Sequence, residues 1–203
     1  LIGGDDIAKN IVMRAIEKKF HIVTANKALI ALHGTKINQL SLEKNCSVLY
    51  EASVAGAVPI IKVIKESLSA NKIQWIAGII NGTTNYILTE MLLSGKNFND
   101  VLDEAKELGY AESDPTFDIG GIDAAHKLTI LASICFGIPL NYDSVYVEGI
   151  EYIDLQDLNN AMELGYTIKH LAIARKSKYG IELRVHPCLV PNSRLLANVN
   201  GVK

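Results

Sequence analysis

Apolar and polar positions alternate at helical spacing over residues 7–19, where Ile7, Ile11, Arg14/Ala15 and the Lys18–Lys19 pair sort onto two faces. A short β-rich run follows at 20–24, then helical stretches near 26–33 and 36–44, then a second strand at 47–51. Strand–helix alternation of this kind predicts a parallel α/β sheet. Pro59 opens a helix reaching about residue 70, at a first-turn position where its missing N–H costs little. Beyond that point the pattern changes. Residues 72–81 read as one long strand, and Gly82-Thr-Thr-Asn leads into a helix to about residue 94. A further helix at 98–108 is stopped by Gly109. A long apolar helix at 123–136 ends at Gly137 and Pro139, and two β-like runs, 167–176 and 181–190, flank a Lys-Tyr-Gly turn. Long strands with grouped helices predict a second, α+β domain built on an open sheet. The chain carries no internal repeat and no low-complexity segment.

Composition narrows the class. The 203 residues are 49% hydrophobic and 21% charged, enough for one or two domains with a sizeable core. The net charge is −2 and the basic residues are scattered, which gives no electrostatic case for nucleic acid or an anionic membrane. The longest apolar run, 128–140, is too short to span a bilayer. No signal peptide is visible, and Leu1-Ile-Gly-Gly reads as the end of a strand entering a loop, so the chain is expected to begin inside a domain. Cys46, Cys135 and Cys188 are odd in number and show neither zinc spacing nor a disulfide framework, pointing to a reduced, cytoplasmic protein. The sequons at Asn45 and Asn81 are read as chance.

The densest chemistry lies between Gly109 and Lys127. Glu112, Asp114, Asp118 and Asp123 gather with Lys127 around turn-forming Pro115, Gly120 and Gly121. Asp123 and Lys127 stand four apart on one helix and share a face, with Asp123 at the expected N-terminus as a cap. A cap with a helix ion pair would explain those two alone. Four acids beside one lysine exceed that need and would repel one another without a cationic partner, and a substrate ammonium is such a partner. Thr24-Ala25-Asn26-Lys27 follows a strand and opens a helix, the place where α/β sheets bind ligands. Glu51 closes an apolar strand ahead of small residues through Gly56, where main-chain carbonyls could converge on a cation, or where the chain simply turns. Asn81-Gly-Thr-Thr-Asn85 offers a helix N-terminus suited to an anion or to plain capping. His126 is expected to pack rather than to catalyse. His21, His33, His170 and His186 are isolated, and no G-x-G-x-x-G occurs anywhere.

Six pieces in order, covering nearly the whole chain, carry a resemblance. They are Leu1-Ile-Gly-Gly, Val23-Thr-Ala-Asn-Lys-Ala-Leu, Tyr50-Glu-Ala-Ser-Val-Ala-Gly, Gly78-Ile-Ile-Asn-Gly-Thr-Thr-Asn-Tyr-Ile-Leu, Leu108-Gly-Tyr-Ala-Glu-Ser-Asp-Pro-Thr-Phe-Asp-Ile-Gly-Gly-Ile-Asp-Ala-Ala-His-Lys, and Arg184-Val-His-Pro-Cys-Leu-Val-Pro. Together they resemble homoserine dehydrogenase, whose members oxidise L-homoserine reversibly to L-aspartate 4-semialdehyde with NAD or NADP, on the route to threonine, methionine and isoleucine. The resemblance implies the C-terminal part of a Rossmann-type nucleotide-binding domain (1–57), an open-sheet substrate and dimerisation domain (58–195), and a return toward the nucleotide domain (196–203). By the same resemblance Lys127 falls on the acid/base lysine, and Lys27 on a second lysine close to nicotinamide and substrate. Glu112, Asp118 and Asp123 fall on substrate-binding positions. Thr24, Ala25, Asn26, Lys27 and Gly109 fall on cofactor-binding positions. Glu51, with Val54, Gly56 and Val58, falls on a monovalent-cation site, usually sodium. A homodimer through the second-domain sheet is implied as well. Two other readings stay open: a catalytically inactive fragment that binds substrate or dimerises, and a lysine-dependent Schiff-base enzyme.

Overall fold

The computed structural model describes Ile2 and residues 6–202. The expected strand end at Leu1-Ile-Gly-Gly therefore lies outside the described residues, apart from Ile2. The chain forms two compact units. One takes the chain up to Gln74 together with His126–Val145 and Lys178–Ile181, and the other takes Trp75–Ala125, Tyr146–Ser177 and the chain from Glu182 onward.

In the first unit, helix α1 (Asp6–Glu17) precedes strand β1 (Ile22–Val23), helix α2 (Lys27–Lys44) and strand β2 (Val48–Leu49). β1 and β2 pair in parallel, Ile22 against Val48 and Val23 against Leu49, as the alternation predicts. The strands are two residues long, where the pattern suggested five. Ala8 and Ile16 of α1 close on Leu29 and Ile37 of α2 to make the core. α2 is one continuous helix rather than two stretches. Its interruption in the sequence, Gly34, is a packing position: a methyl there would sit 2.5 Å from Leu140 Cδ1. The helix ends on Asn45 in the left-handed region, whose N–H turns back to the carbonyls of Ser41 and Leu42. The helix expected over 59–70 is a single α-turn, α3 (Ile60–Lys62), running into a wider π-turn (Val63–Ser67).

The second unit is built on a four-stranded sheet in the order β3-β5-β6-β4. β3 (Trp75–Gly78) lies antiparallel to β5 (Tyr166–Ser177), and β4 (Tyr146–Val147) lies parallel to β6 (Gly180–Pro191). A two-residue turn joins β5 to β6, and the sheet is open, as expected. Helices α4 (Gly82–Ser94) and α8 (Leu155–Glu163) pack on it, and α5 (Phe98–Glu107) packs against α4. Their buried residues Ile87, Met91, Val101, Ala105 and Leu158 meet Ile168 of β5 in one core. Each such large side chain contributes about 1.5–3 kcal/mol when fully buried. β3 has four residues where the pattern suggested ten, and Asn81 at the far end of that run is the cap of α4. α8 has no counterpart in the hydrophobic pattern. Asp154 and Asp157 start it with a reciprocal capping box, each carboxylate accepting the other's backbone N–H. A short helix α6 (Thr116–Ile119) leads to α7 (Ile122–Phe136). The described residues contain no helix long and apolar enough to cross a membrane. Their three cysteines are free thiols.

Candidate active site

Asn81 is the hub of the acidic cluster. As the N-cap of α4 its Oδ1 accepts the Thr84 N–H at 2.9 Å, filling one of the helix's open donors. The two N–H bonds of the same amide go to carboxylates: Asp118 Oδ1 at 2.6 Å and Asp123 Oδ2 at 3.0 Å. Beside it, the Thr83 hydroxyl lies 2.7 Å from the Tyr110 carbonyl and 3.5 Å from Asp118 Oδ2. Asn81 and Asp123 are buried, and Asp118 is half-buried.

The loop geometry explains how the acids converge. Pro115 starts α6, which ends in Gly120 and Gly121. Gly121 has φ +81°, and a methyl there would meet His170 Cε1 and Val147 Cγ1 at 3.1 Å. Only glycine turns the chain that closely over β4 and β5. α7 then begins at Ile122, which places Asp123 inside its first turn, where the helix dipole favours a carboxylate. Asp123 thus stands at the helix start, as expected, and its carboxylate also accepts from the Asn81 amide.

Lys127 lies one turn further along α7 and is half-buried. Glu112 stands exposed on the loop before α6. Asp114 turns onto Thr116 instead, accepting its N–H at 3.1 Å and its hydroxyl at 2.6 Å, and these bonds lower the pKa of Asp114 below its ordinary range. His126 is buried with its ring 4.7 Å from that of Tyr142, the packing role expected of it.

In the first unit the parallel pairing of β1 and β2 brings the loops after both strands to one edge. After β1, Thr24 Oγ1 accepts the Asn26 N–H at 3.1 Å, and Asn26 caps α2 by accepting the Leu29 N–H at 3.0 Å. Ala25 lies between them, and Lys27 is the first residue of α2. After β2, Glu51 opens a 3₁₀ turn (Glu51–Ser53). Its carboxylate spans two amides of α3, Ile61 and Lys62, each at 2.9 Å. Ala55 and Gly56 are both left-handed, Val54 is buried and Val58 is exposed. Sequence reading did not find this capping role of Glu51. Among the described residues no group of three His, Cys, Asp or Glu side chains could hold a metal. In the second unit Gly109, with φ +74° and open space where a side chain would stand, terminates α5.

Sequence reading also missed the bridging amide of Asn81 and the buried Lys169. The first was hidden because a cap donates nothing to side chains in the usual pattern. The second had no local signal, since Lys169 sits in an otherwise apolar strand.

The sequence profile of homoserine dehydrogenase matches residues 59–203. The chain is 61% identical to the homoserine dehydrogenase of Pseudomonas aeruginosa, over 100% of its own length and 46% of that protein. The crystal structure of a homoserine dehydrogenase from Thiobacillus denitrificans superposes with a TM-score of 0.97 at 56% identity, covering 99% of this chain and 47% of that one. A hyperthermophilic archaeal homoserine dehydrogenase in complex with NADPH is similar at TM-score 0.81 and 31% identity, covering 97% of this chain and 56% of that one. The chain thus spans about half the length of the curated relatives it matches. With a family profile matching more than half of it and a mixed α/β fold shared with these structures, the chain belongs to the homoserine dehydrogenase family.

Proposed function

We propose that this chain forms the substrate-handling part of an enzyme that oxidises L-homoserine reversibly to L-aspartate 4-semialdehyde, using NAD or NADP, in the synthesis of threonine, methionine and isoleucine. The observation that carries the reading is the pair Asp118 and Asp123 drawn together by one Asn81 amide, one helical turn from Lys127. Two carboxylates drawn to one amide repel each other, and a substrate ammonium offsets that repulsion. Asp118 and Asp123, with Glu112 at the rim, would hold the amino group and so orient the hydroxyl carbon. Lys127 would accept the hydroxyl proton as the hydride leaves carbon. In the reverse direction it returns that proton to the aldehyde oxygen. The bound nicotinamide supplies the acceptor for the hydride that leaves the same carbon.

Thr24, Ala25, Asn26, Lys27 and Gly109 are the residues of this chain that would contact the cofactor. The setting of Thr24 to Lys27 at the end of a parallel strand fits a nucleotide site. Glu51 would hold a sodium ion with the carbonyls of Val54, Gly56 and Val58. The two amides already on its carboxylate leave lone pairs on each oxygen for that purpose. In this reading residues 1–57 and 196–203 belong to a Rossmann-type domain and 58–195 to a substrate domain that pairs two cytoplasmic subunits through its open sheet.

The test is reduction of NAD or NADP by L-homoserine, followed by the absorbance of the reduced nicotinamide. It is run on this chain and on the chain extended to the length of its relatives. Turnover in the extended protein is expected, and no turnover from either folded protein would overturn the reading. A second reading is an inactive fragment that binds substrate or dimerises. Cofactor binding by the chain alone distinguishes the two.

A further inference from the structure

Lys169 of β5 is 1% exposed, yet no carboxylate neutralises it in the bonds it makes. Its ammonium donates to three uncharged oxygens: Val199 O at 2.6 Å, Asn85 Oδ1 at 3.2 Å and Asn200 Oδ1 at 3.2 Å. Its three N–H bonds thus find three acceptors. Asn85, also buried, reaches the same segment, donating to Val199 O at 3.1 Å and Gly201 O at 2.8 Å. One lysine and one asparagine therefore bind the backbone from Val199 to Gly201 to the first turns of α4. Filling this space would be cheaper with methionine, which carries no desolvation cost. An ammonium buried on three uncharged oxygens is a costly way to obtain stability and an effective way to fix geometry.

The segment so held touches the acidic site's own support. Gly82, the first residue of α4, lies so close to Val202 that a methyl on Gly82 would stand 2.6 Å from the Val202 carbonyl oxygen. Its neighbour Asn81 is the cap that holds Asp118 and Asp123. Asn85 stands four residues beyond Asn81, one turn along. Segment, helix start and carboxylates form one contiguous chain of contacts.

We propose that Lys169 and Asn85 clamp the Val199–Gly201 segment onto α4 and thereby hold Asn81 where it can gather Asp118 and Asp123, making Lys169 a positioning residue for substrate ammonium. The proposal rests on the reading of Asp118 and Asp123 as the ammonium site. It is tested with Lys169→Met in the chain extended to the length of its relatives. Two quantities are read: hydrogen exchange of the Thr84 amide, whose acceptor is Asn81, and the KM values for L-homoserine and for the cofactor. Faster Thr84 exchange and a homoserine KM raised about tenfold, with the cofactor KM unchanged, are expected for coupling through neighbouring groups. Exchange that quickens only at 199–202, or KM values that move together or not at all, would overturn the clamp. If Lys169→Met does not fold, Gly82→Ala is read by the same criteria, since it keeps the lysine and displaces Val202. An unaltered protein that oxidises no homoserine overturns the functional reading, while the clamp is then decided by Thr84 exchange alone.

Discussion

Asn81 does at one residue what usually takes three: it caps a helix and donates to two acids. Those duties separate by substitution. Asn81→Ala loses a cap worth about 1 kcal/mol and leaves Asp118 and Asp123 without their shared donor. The urea midpoint is expected to fall and the homoserine KM to rise. Asn81→Ser keeps a capping oxygen, so it should recover the stability but not the KM. Recovery of both would show that the amide donors are idle. Lys127→Ala is expected to remove turnover while circular dichroism and cofactor binding stay close to those of the unaltered protein, and near-normal turnover would refute the proton-transfer role. Asp123→Asn removes a charge at nearly constant shape. It should raise the homoserine KM and lower kcat, and unchanged kinetics would leave Asp123 as a structural group only. The acids and the lysine were legible in the sequence because charge beside Pro and Gly stands out locally. Which acid joins which was not, since Asp114 and Asp118 look alike in the chain but one turns to Thr116 and the other to Asn81.

Elements were legible where the local signal and the tertiary demand agree. α1, α4, α5 and α7 lie within a residue or two of their expected bounds, because apolar spacing and terminators such as Gly109 and Gly137 act within one helix. α2 was divided in expectation by Gly34, a break that makes sense only once Leu140 is seen against it. The run at 72–81 satisfies strand propensity throughout, yet the cap of α4 takes its last residue out of the sheet. α8 escaped because its start is marked by a carboxylate box rather than by the commoner hydroxyl. Glu51 belongs to this scale as well, since it joins the end of β2 to α3 through the Ile61 and Lys62 amides. Glu51→Ala should lower stability by roughly the 0.5–2 kcal/mol of a lost cap, measured by urea unfolding. The same change should abolish any dependence of activity on sodium. A sodium dependence that survives would remove Glu51 from the cation site.

At the scale of the molecule, buried titratable groups link the fold to pH. Burial holds the His170 pKa below its ordinary 6.5, only partly opposed by the Glu148 carbonyl 2.9 Å from Nε2. The unfolded chain then binds the proton more readily than the folded one. Stability is therefore full above the ordinary histidine range and is lost as pH falls through it. Urea unfolding at about pH 8 and about pH 5 should show that loss, and His170→Gln should shrink it. An equal loss in the variant would assign it to other groups. Taken by itself, the sequence determined the types and order of most elements, the acid-rich loop before α7 and the resemblance to a family, because these rest on residue chemistry over a few turns of chain. The tertiary structure alone decided that residues far apart in the sequence complete each unit, that one Asn81 amide gathers two acids, and that Lys169 is buried among uncharged oxygens. Each of these depends on which groups meet after the chain has folded, and no local pattern encodes a neighbour more than a hundred residues away, as Asn85 is from Gly201.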